Sequence, residues 1–287
     1  MKGVFIFLVL STQFVFGMNN LSNNPKIEGF ADVNGTRLYY EVAGTGQPVV
    51  FIHGFSLDTR MWDEQFDEFA KTHQVIRYDL RGFGKSALPT EGELYAHEED
   101  LKALLAHLRI ENPILVGLSL GGRIAINYTL AYQNVKALVL ADAVLDGYKW
   151  KDYSMTAVYE AAKIEGIQAA IQKWLDHPTF AQTQKNATAF TRVTTIVSAY
   201  SGWHFLHKNP LNPVQSTAIE HLSEIKVPTL VIVGEKEIAD FWAISEVLAQ
   251  QIANATKAVI KGAGHMSNME DATAFNRSLS LFLSKVR

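Results

Sequence analysis

The chain has 287 residues, 48% of them hydrophobic and 19% charged, with a formal net charge of −3. That content fills one globular unit with room for an inserted lobe, and not several independent domains. Slight acidity without a Lys/Arg cluster argues against a nucleic-acid partner, and the absence of cysteine excludes disulfides, thiolate catalysis and Cys-ligated zinc.

Met1-Lys2 gives a positive end, Val4 to Leu10 an unbroken apolar run, and Phe14-Val15-Phe16 its extension, with Val15 and Gly17 placed for a signal peptidase. These features predict a secretory signal over residues 1–17 and a secreted or periplasmic product. An uncleaved anchor and a start at Met18 are the competing readings. The run is short and broken by Ser11-Thr12-Gln13, so stable membrane insertion is not expected.

Ile27 to Val33 and Arg37 to Val42 alternate in polarity around Asn34-Gly35, which predicts a hairpin. Beyond it, apolar strands are separated by helical segments. Val49 to Ile52 reads as a strand, Met61 to Ala70 as a helix, Val75 to Tyr78 as a strand, and Leu94 to Leu108 as a helix with Leu101, Leu104, Leu105 and Leu108 on one face. Strands at Pro113 to Val116 and Ala137 to Leu140 bracket a helix that opens at Gly122. Late in the chain come a strand at Thr229 to Val233, a helix near Ile244 to Ile252, a strand near Ala258 to Ile260, and a helix carrying Phe275, Leu279, Phe282 and Leu283. The alternation predicts an α/β fold with a mostly parallel sheet covered on both faces. Over residues 144–213 the alternation stops. That helical stretch, rich in large aromatics, is expected to form a cap (lid) on a core of 18–143 and 214–287, with two to four of its aromatics lining a pocket.

Gly117-Leu118-Ser119-Leu120-Gly121 sits at the junction of a strand and a helix. A G-x-S-x-G turn there lifts a hydroxyl off the sheet edge, and its glycines let backbone pass where a Cβ would clash. The helix start offers unpaired N–H groups to developing negative charge. Other chemistries lack their parts. His204 and His207 have ligand spacing but no third partner nearby for zinc, and Arg123-Ile124 stands where a phosphate loop needs Lys-Ser/Thr.

Together with His53-Gly54-Phe55, Asp79 to Ser86, and Gly262-Ala263-Gly264-His265-Met266, this turn resembles the α/β-hydrolase superfamily, in particular small, cofactor-free serine esterases and 3-oxoadipate enol-lactonase-like hydrolases. The resemblance covers nearly all of the chain beyond the signal. It implies an α/β-hydrolase fold with Ser119 as nucleophile, His265 as its base, and oxyanion-binding N–H groups from Phe55 and Leu120. His53 is expected to brace its loop, and Asp79 and Arg81 to serve turns and ion pairs. The family places its acid three residues after the glycine ending the Val233 strand, here Glu237; Asp240 lies three further on. Either could hold the imidazole, with Glu237 favoured and Asp142 a distant third. His73, His97, His107, His177 and His221 read as surface residues, and Arg123 or Arg192 as possible partners of a substrate carboxylate.

The implied activity is hydrolysis of a small carboxylic ester or lactone through an acyl-enzyme, without cofactor. The alternative is a small-molecule binding or sensing protein that keeps the fold with little turnover.

Overall fold

The computed structural model describes residues 26–212 and 217–286; the signal expected over residues 1–17 and the boundary at Pro213 lie outside them. Asn34 and Gly35 take φ of 46° and 68°, the positive pair that a two-residue turn requires, and join β1 (Ile27–Val33) to β2 (Thr36–Ala43). β3 (Pro48–Ile52), β4 (Gln74–Tyr78), β5 (Ile114–Leu118), β6 (Ala137–Ala141), β7 (Thr229–Gly234) and β8 (Ala255–Ile260) complete an eight-stranded sheet in the order β1-β2-β4-β3-β5-β6-β7-β8. β1, β2 and β4 pair antiparallel, and every pairing from β4 to β8 is parallel. β5 and β6 are buried at every residue, which is why their sequences are continuously apolar rather than alternating.

Helices α1 (Asp63–Phe69), α2 (His97–Leu108), α3 (Leu120–Tyr132), α4 (Thr156–Ile164), α5 (Ile167–Leu175), α6 (Ala187–Ser198), α7 (Trp203–Leu206), α8 (Ala239–Gln251), α9 (Ser267–Glu270) and α10 (Ala272–Leu283) follow in chain order. α10 buries Phe275, Leu279, Phe282 and Leu283, the stripe expected from their spacing, and Asp271 caps it by accepting the Ala274 N–H at 2.9 Å. α4 to α7 leave the sheet between β6 and β7 as a helical insertion. Among the described residues no helix is long and apolar enough to cross a membrane.

Two local expectations need correction. The Leu94 to Leu108 helix starts only at His97, because Tyr95 is drawn into a bridge with Leu211 and Ala96 is extended. His97, expected at the surface, is buried, and its ring meets that of Tyr95 edge-on.

The chain passes from β3 out to β4 and then back to β5 on the other side of β3. Loops leaving the carboxyl ends of strands at such a reversal diverge, and the crevice between them is where α/β sheets hold ligands. Ile52 of β3 is in register with Gly117 of β5, so the His53 loop and the Ser119 turn depart side by side. In the loop after β4, Arg81 makes a buried two-pronged ion pair with Asp100, Nη2 to Oδ1 at 2.6 Å and Nε to Oδ2 at 2.9 Å. Arg81→Met would strand the Asp100 charge in the interior. A loss of about 3–5 kcal/mol in unfolding free energy is expected, read from the denaturant midpoint.

Candidate active site

The Ser119 turn is built by backbone crowding. A Cβ on Gly121 would stand 2.0 Å from the Ile52 carbonyl oxygen, and one on Gly117 2.2 Å from the Gly121 carbonyl oxygen. Neither neighbour is the end of a flexible side chain, so both positions need glycine. Ser119 itself takes φ 55° and ψ −115°, a conformation that costs a non-glycine residue on the order of 1–3 kcal/mol. Its N–H donates to the Ala141 carbonyl at 3.0 Å, and its own carbonyl accepts from Arg123 and Val144. Those bonds pin the turn.

Across the reversal lies the loop after β3. His53 is wholly buried, with Nδ1 on the Gly54 carbonyl at 2.8 Å and Nε2 accepting the Leu80 N–H at 2.9 Å. Only the neutral tautomer protonated at Nδ1 satisfies both, so His53 braces the loop without moving protons. Burial pulls its pKa down to about 4. A Cβ on Gly54 would lie 3.5 Å from the Ser119 Cβ, which places the loop directly beside the nucleophile turn. Among the described residues neither the Phe55 N–H nor the Leu120 N–H has a hydrogen-bond acceptor, leaving both free for an oxyanion.

The second pair of loops follows β7 and β8, where Gly234 and Ile260 are in register. Glu237 and His265 meet there, Oε2 to Nδ1 at 2.6 Å, with the Glu237 side chain fully buried. Glu237 Oε1 accepts the Ile238 N–H at 2.7 Å. The Phe241 ring lies 4.4 Å from the imidazole, centroid to centroid. Burial holds the His265 pKa below its ordinary value, opposed by the charges of Asp142 and Glu270.

Asp240, the other candidate acid, is not on His265. Its carboxylate accepts the backbone N–H groups of Lys151, Asp152 and Tyr153 and the Tyr148 hydroxyl at 2.8 to 3.2 Å, tying the start of the insertion to α8. Burial would raise its pKa, but those donors outweigh it and the carboxyl titrates below the ordinary range. Arg123 and Arg192 are also engaged, with Asp146 and Glu64.

Ser119 and His265 line one cavity of about 20 Å³ with Leu57, Leu118, Phe55 and Met266 from the core and Tyr153, Trp174 and Phe180 from the insertion. That is room for about one water. Among the described residues no hydrogen bond joins Ser119 Oγ to the His265 ring, a link that often tightens only when substrate binds. Beyond the Phe55 ring opens a cleft of about 440 Å³, bordered by Tyr159, Lys163, Phe205 and Lys208.

Sequence reasoning overlooked how the insertion grips these loops. Trp174 Nε1 donates to Ser56 Oγ at 2.7 Å, holding Ser56 at φ 62° next to Phe55. Gln182 donates to the Gly262 carbonyl at 2.8 Å, and Thr183 to the Glu270 carboxylate, which in turn accepts the Gly264 N–H. No periodicity announces such contacts, since they join segments some 90 to 120 residues apart in places.

The family model described as "alpha/beta hydrolase fold" matches residues 47–224, more than half the chain. The AB hydrolase superfamily protein YisY of Bacillus subtilis is 28% identical over 254 residues, covering 85% of this chain and 94% of that protein. Among solved structures, the enol-lactonase from Burkholderia xenovorans LB400 aligns with a TM-score of 0.78 over 90% of this chain and all of its own, at 24% identity, a likeness of fold alone. Est816, described as an N-acyl homoserine lactone degrading enzyme, aligns with a TM-score of 0.73 at 27% identity over 88% of this chain and all of its own.

Two outcomes follow from the site. Asp240→Ala should lower unfolding free energy by about 1–3 kcal/mol by leaving those donors without their acceptor, measured by denaturant unfolding. Because unfolded histidine binds protons near pH 6.5 and buried His53 resists them to about 4, folding stability should fall as pH drops through that window, as thermal melts at stepped pH would show.

Proposed function

Since this chain belongs to the alpha/beta hydrolase fold family, we propose that it is a serine hydrolase cleaving a small carboxylic ester or lactone through an acyl-enzyme. The observation that carries the proposal is the buried 2.6 Å Glu237–His265 pair, set on the wall of the same cavity as a serine on a strained strand-to-helix turn. A serine hydroxyl is a weak nucleophile until a base takes its proton. His265 is that base, with Nδ1–H held by Glu237 so that Nε2 is left to accept.

Ser119 Oγ adds to the substrate carbonyl as its proton passes to His265 Nε2. The negative charge forming on the carbonyl oxygen is met by the Phe55 and Leu120 N–H groups. The tetrahedral adduct expels the alkoxide, which takes the proton from His265, leaving the acyl group on Ser119. Water then adds to the acyl carbon while His265 takes its proton and returns it to Ser119, and the carboxylic acid leaves. In a lactone the expelled alkoxide stays tethered to the acyl chain. The likeness to Est816, an N-acyl homoserine lactone degrading enzyme, supports the lactone arm of this reading. Export directed by residues 1–17 belongs to the proposal as well, and mass spectrometry of the product from the intact gene should find an N-terminus near Met18.

The test is a panel of aryl esters, lactones and thioesters on the wild type beside Ser119→Ala. Ser119→Ala should lose turnover and labelling by a serine-directed phosphonate, and Glu237→Gln should lose kcat by roughly 10³–10⁴-fold with the fold intact. Because the neutral ring does the work and burial lowers its pKa, the acid limb of kcat/KM should lie below about pH 6.5. The narrow cavity and the unmade Ser119–His265 bond favour a second reading, a small-molecule receptor. Ligand-dependent thermal stabilisation without turnover on any class in the panel would establish that reading and overturn the first.

A further inference from the structure

The Phe55 N–H sits on a turn that its own main chain holds only lightly. The turn over residues 54–57 is closed by one long hydrogen bond, from the Leu57 N–H to the Gly54 carbonyl at 3.3 Å. Between those ends, neither the N–H nor the carbonyl of Phe55 or Ser56 has a hydrogen-bond partner among the described residues. Ser56 fills the third position at φ 62°, a place that glycine or asparagine usually takes. A serine there accepts an unfavourable backbone and brings a hydroxyl. Ser56 is buried, and the partner of that hydroxyl among the described residues is the Trp174 indole, Nε1 donating to Oγ at 2.7 Å.

Trp174 comes from α5 of the insertion, 118 residues further along the chain, and is itself buried. Its ring meets those of Phe55 and Phe180 edge-on, with centroids 6.0 and 5.0 Å away. The ring lines the cavity that holds Ser119 and His265, and Ser56 lies outside that lining. The two N–H groups offered to an oxyanion are thus held by different means. Leu120 opens α3, whose first turn is packed by Gly121 against the Ile52 carbonyl. Phe55 depends on a side-chain tether from another lobe. A donor of this kind contributes only when it is aimed before the charge forms.

We propose that Trp174 is a positioning residue: by holding the Ser56 hydroxyl, it fixes the turn that carries the Phe55 N–H and so sets that donor from the insertion. The inference rests on the Phe55 N–H serving as an oxyanion donor.

Two variants cut the tether from opposite ends. Trp174→Phe keeps a ring and removes the indole N–H, and Ser56→Ala keeps the Cβ and removes the acceptor. With p-nitrophenyl acetate as substrate, each should lower kcat by roughly 10–10²-fold through misplacement of the donor. Ser56→Ala, off the cavity wall, should leave KM within about twofold of wild type. Because both variants remove one bond, their losses should not multiply, and the double variant should be within about threefold of the slower single. Wild-type kcat in Ser56→Ala, a loss expressed in KM alone, or losses that multiply would each overturn the proposal. The tether is also read without turnover, by nuclear magnetic resonance of isotope-labelled protein. Ser56→Ala should shift the indole N–H signal that Trp174→Phe abolishes, and both variants should move the Phe55 amide signal in the same direction. Indole and Phe55 signals left in place by Ser56→Ala would overturn the proposal even if the chain turns over no ester. Both shifts in a chain without turnover would establish the tether and remove the hydrolase reading instead.

Discussion

The contact on which the site depends is between two stretches of main chain. The Gly121 α-carbon packs so near the Ile52 carbonyl that even a methyl group has no place to stand. This closeness seats the first turn of α3 against the end of β3, and the loop after β3 runs beside Ser119. Main-chain atoms have few soft torsions, so a site assembled this way is positioned before any substrate arrives. The unfavourable φ at Ser119 persists because the bonds to Ala141, Arg123 and Val144 over-determine it.

The other half of the site is held differently. Glu237 and His265 come from neighbouring parallel strands, but their meeting depends on side chains, and side chains have rotamers to lose. The structure limits that freedom by burial and by neighbours: Ile238 on the carboxyl, Phe241 on the ring, and Ser267, two residues beyond His265, bonded to Asp142. Removing a carboxylate from water is costly, and burial drives the Glu237 carboxyl up to about 8 although the Ile238 N–H opposes it.

Much of this was legible in the chain. Asn34-Gly35 named its turn because only residues tolerant of positive φ sit there, and the all-apolar runs at Ile114 and Ala137 named central strands because both faces are covered. The glycines around Ser119 announced a tight turn. The choice between Glu237 and Asp240 was open, since both carboxyls follow the same strand. It is geometry that sets Glu237 on the imidazole and gives Asp240 three backbone donors in the insertion. The helix drawn from Leu94 failed for a related reason: Tyr95 has good helical neighbours, yet a partner more than a hundred residues away at Leu211 fixes it as extended. His97 was misread because an amphipathic stripe counts apolar residues and overlooks a neutral imidazole that burial keeps uncharged. Asp142, the third acid in that ranking, accepts the Gly234 N–H and the Ser267 hydroxyl and is not on the imidazole.

The insertion, from Tyr148 through α7, grips the core at Ser56, Gly262, Glu270 and Asp240, within three residues of Phe55, His265 or Glu237 in each case but one. Moving this part as a body would break those hydrogen bonds. The cavity beside Ser119 and the larger cleft share the Phe55 ring as a wall, and its neighbours are themselves rings: Phe83, Trp174, Tyr200, His204 and Phe205, all with centroids 5.6 to 6.0 Å away. Any widening of the small cavity toward that cleft has to displace a ring that five others hold in place.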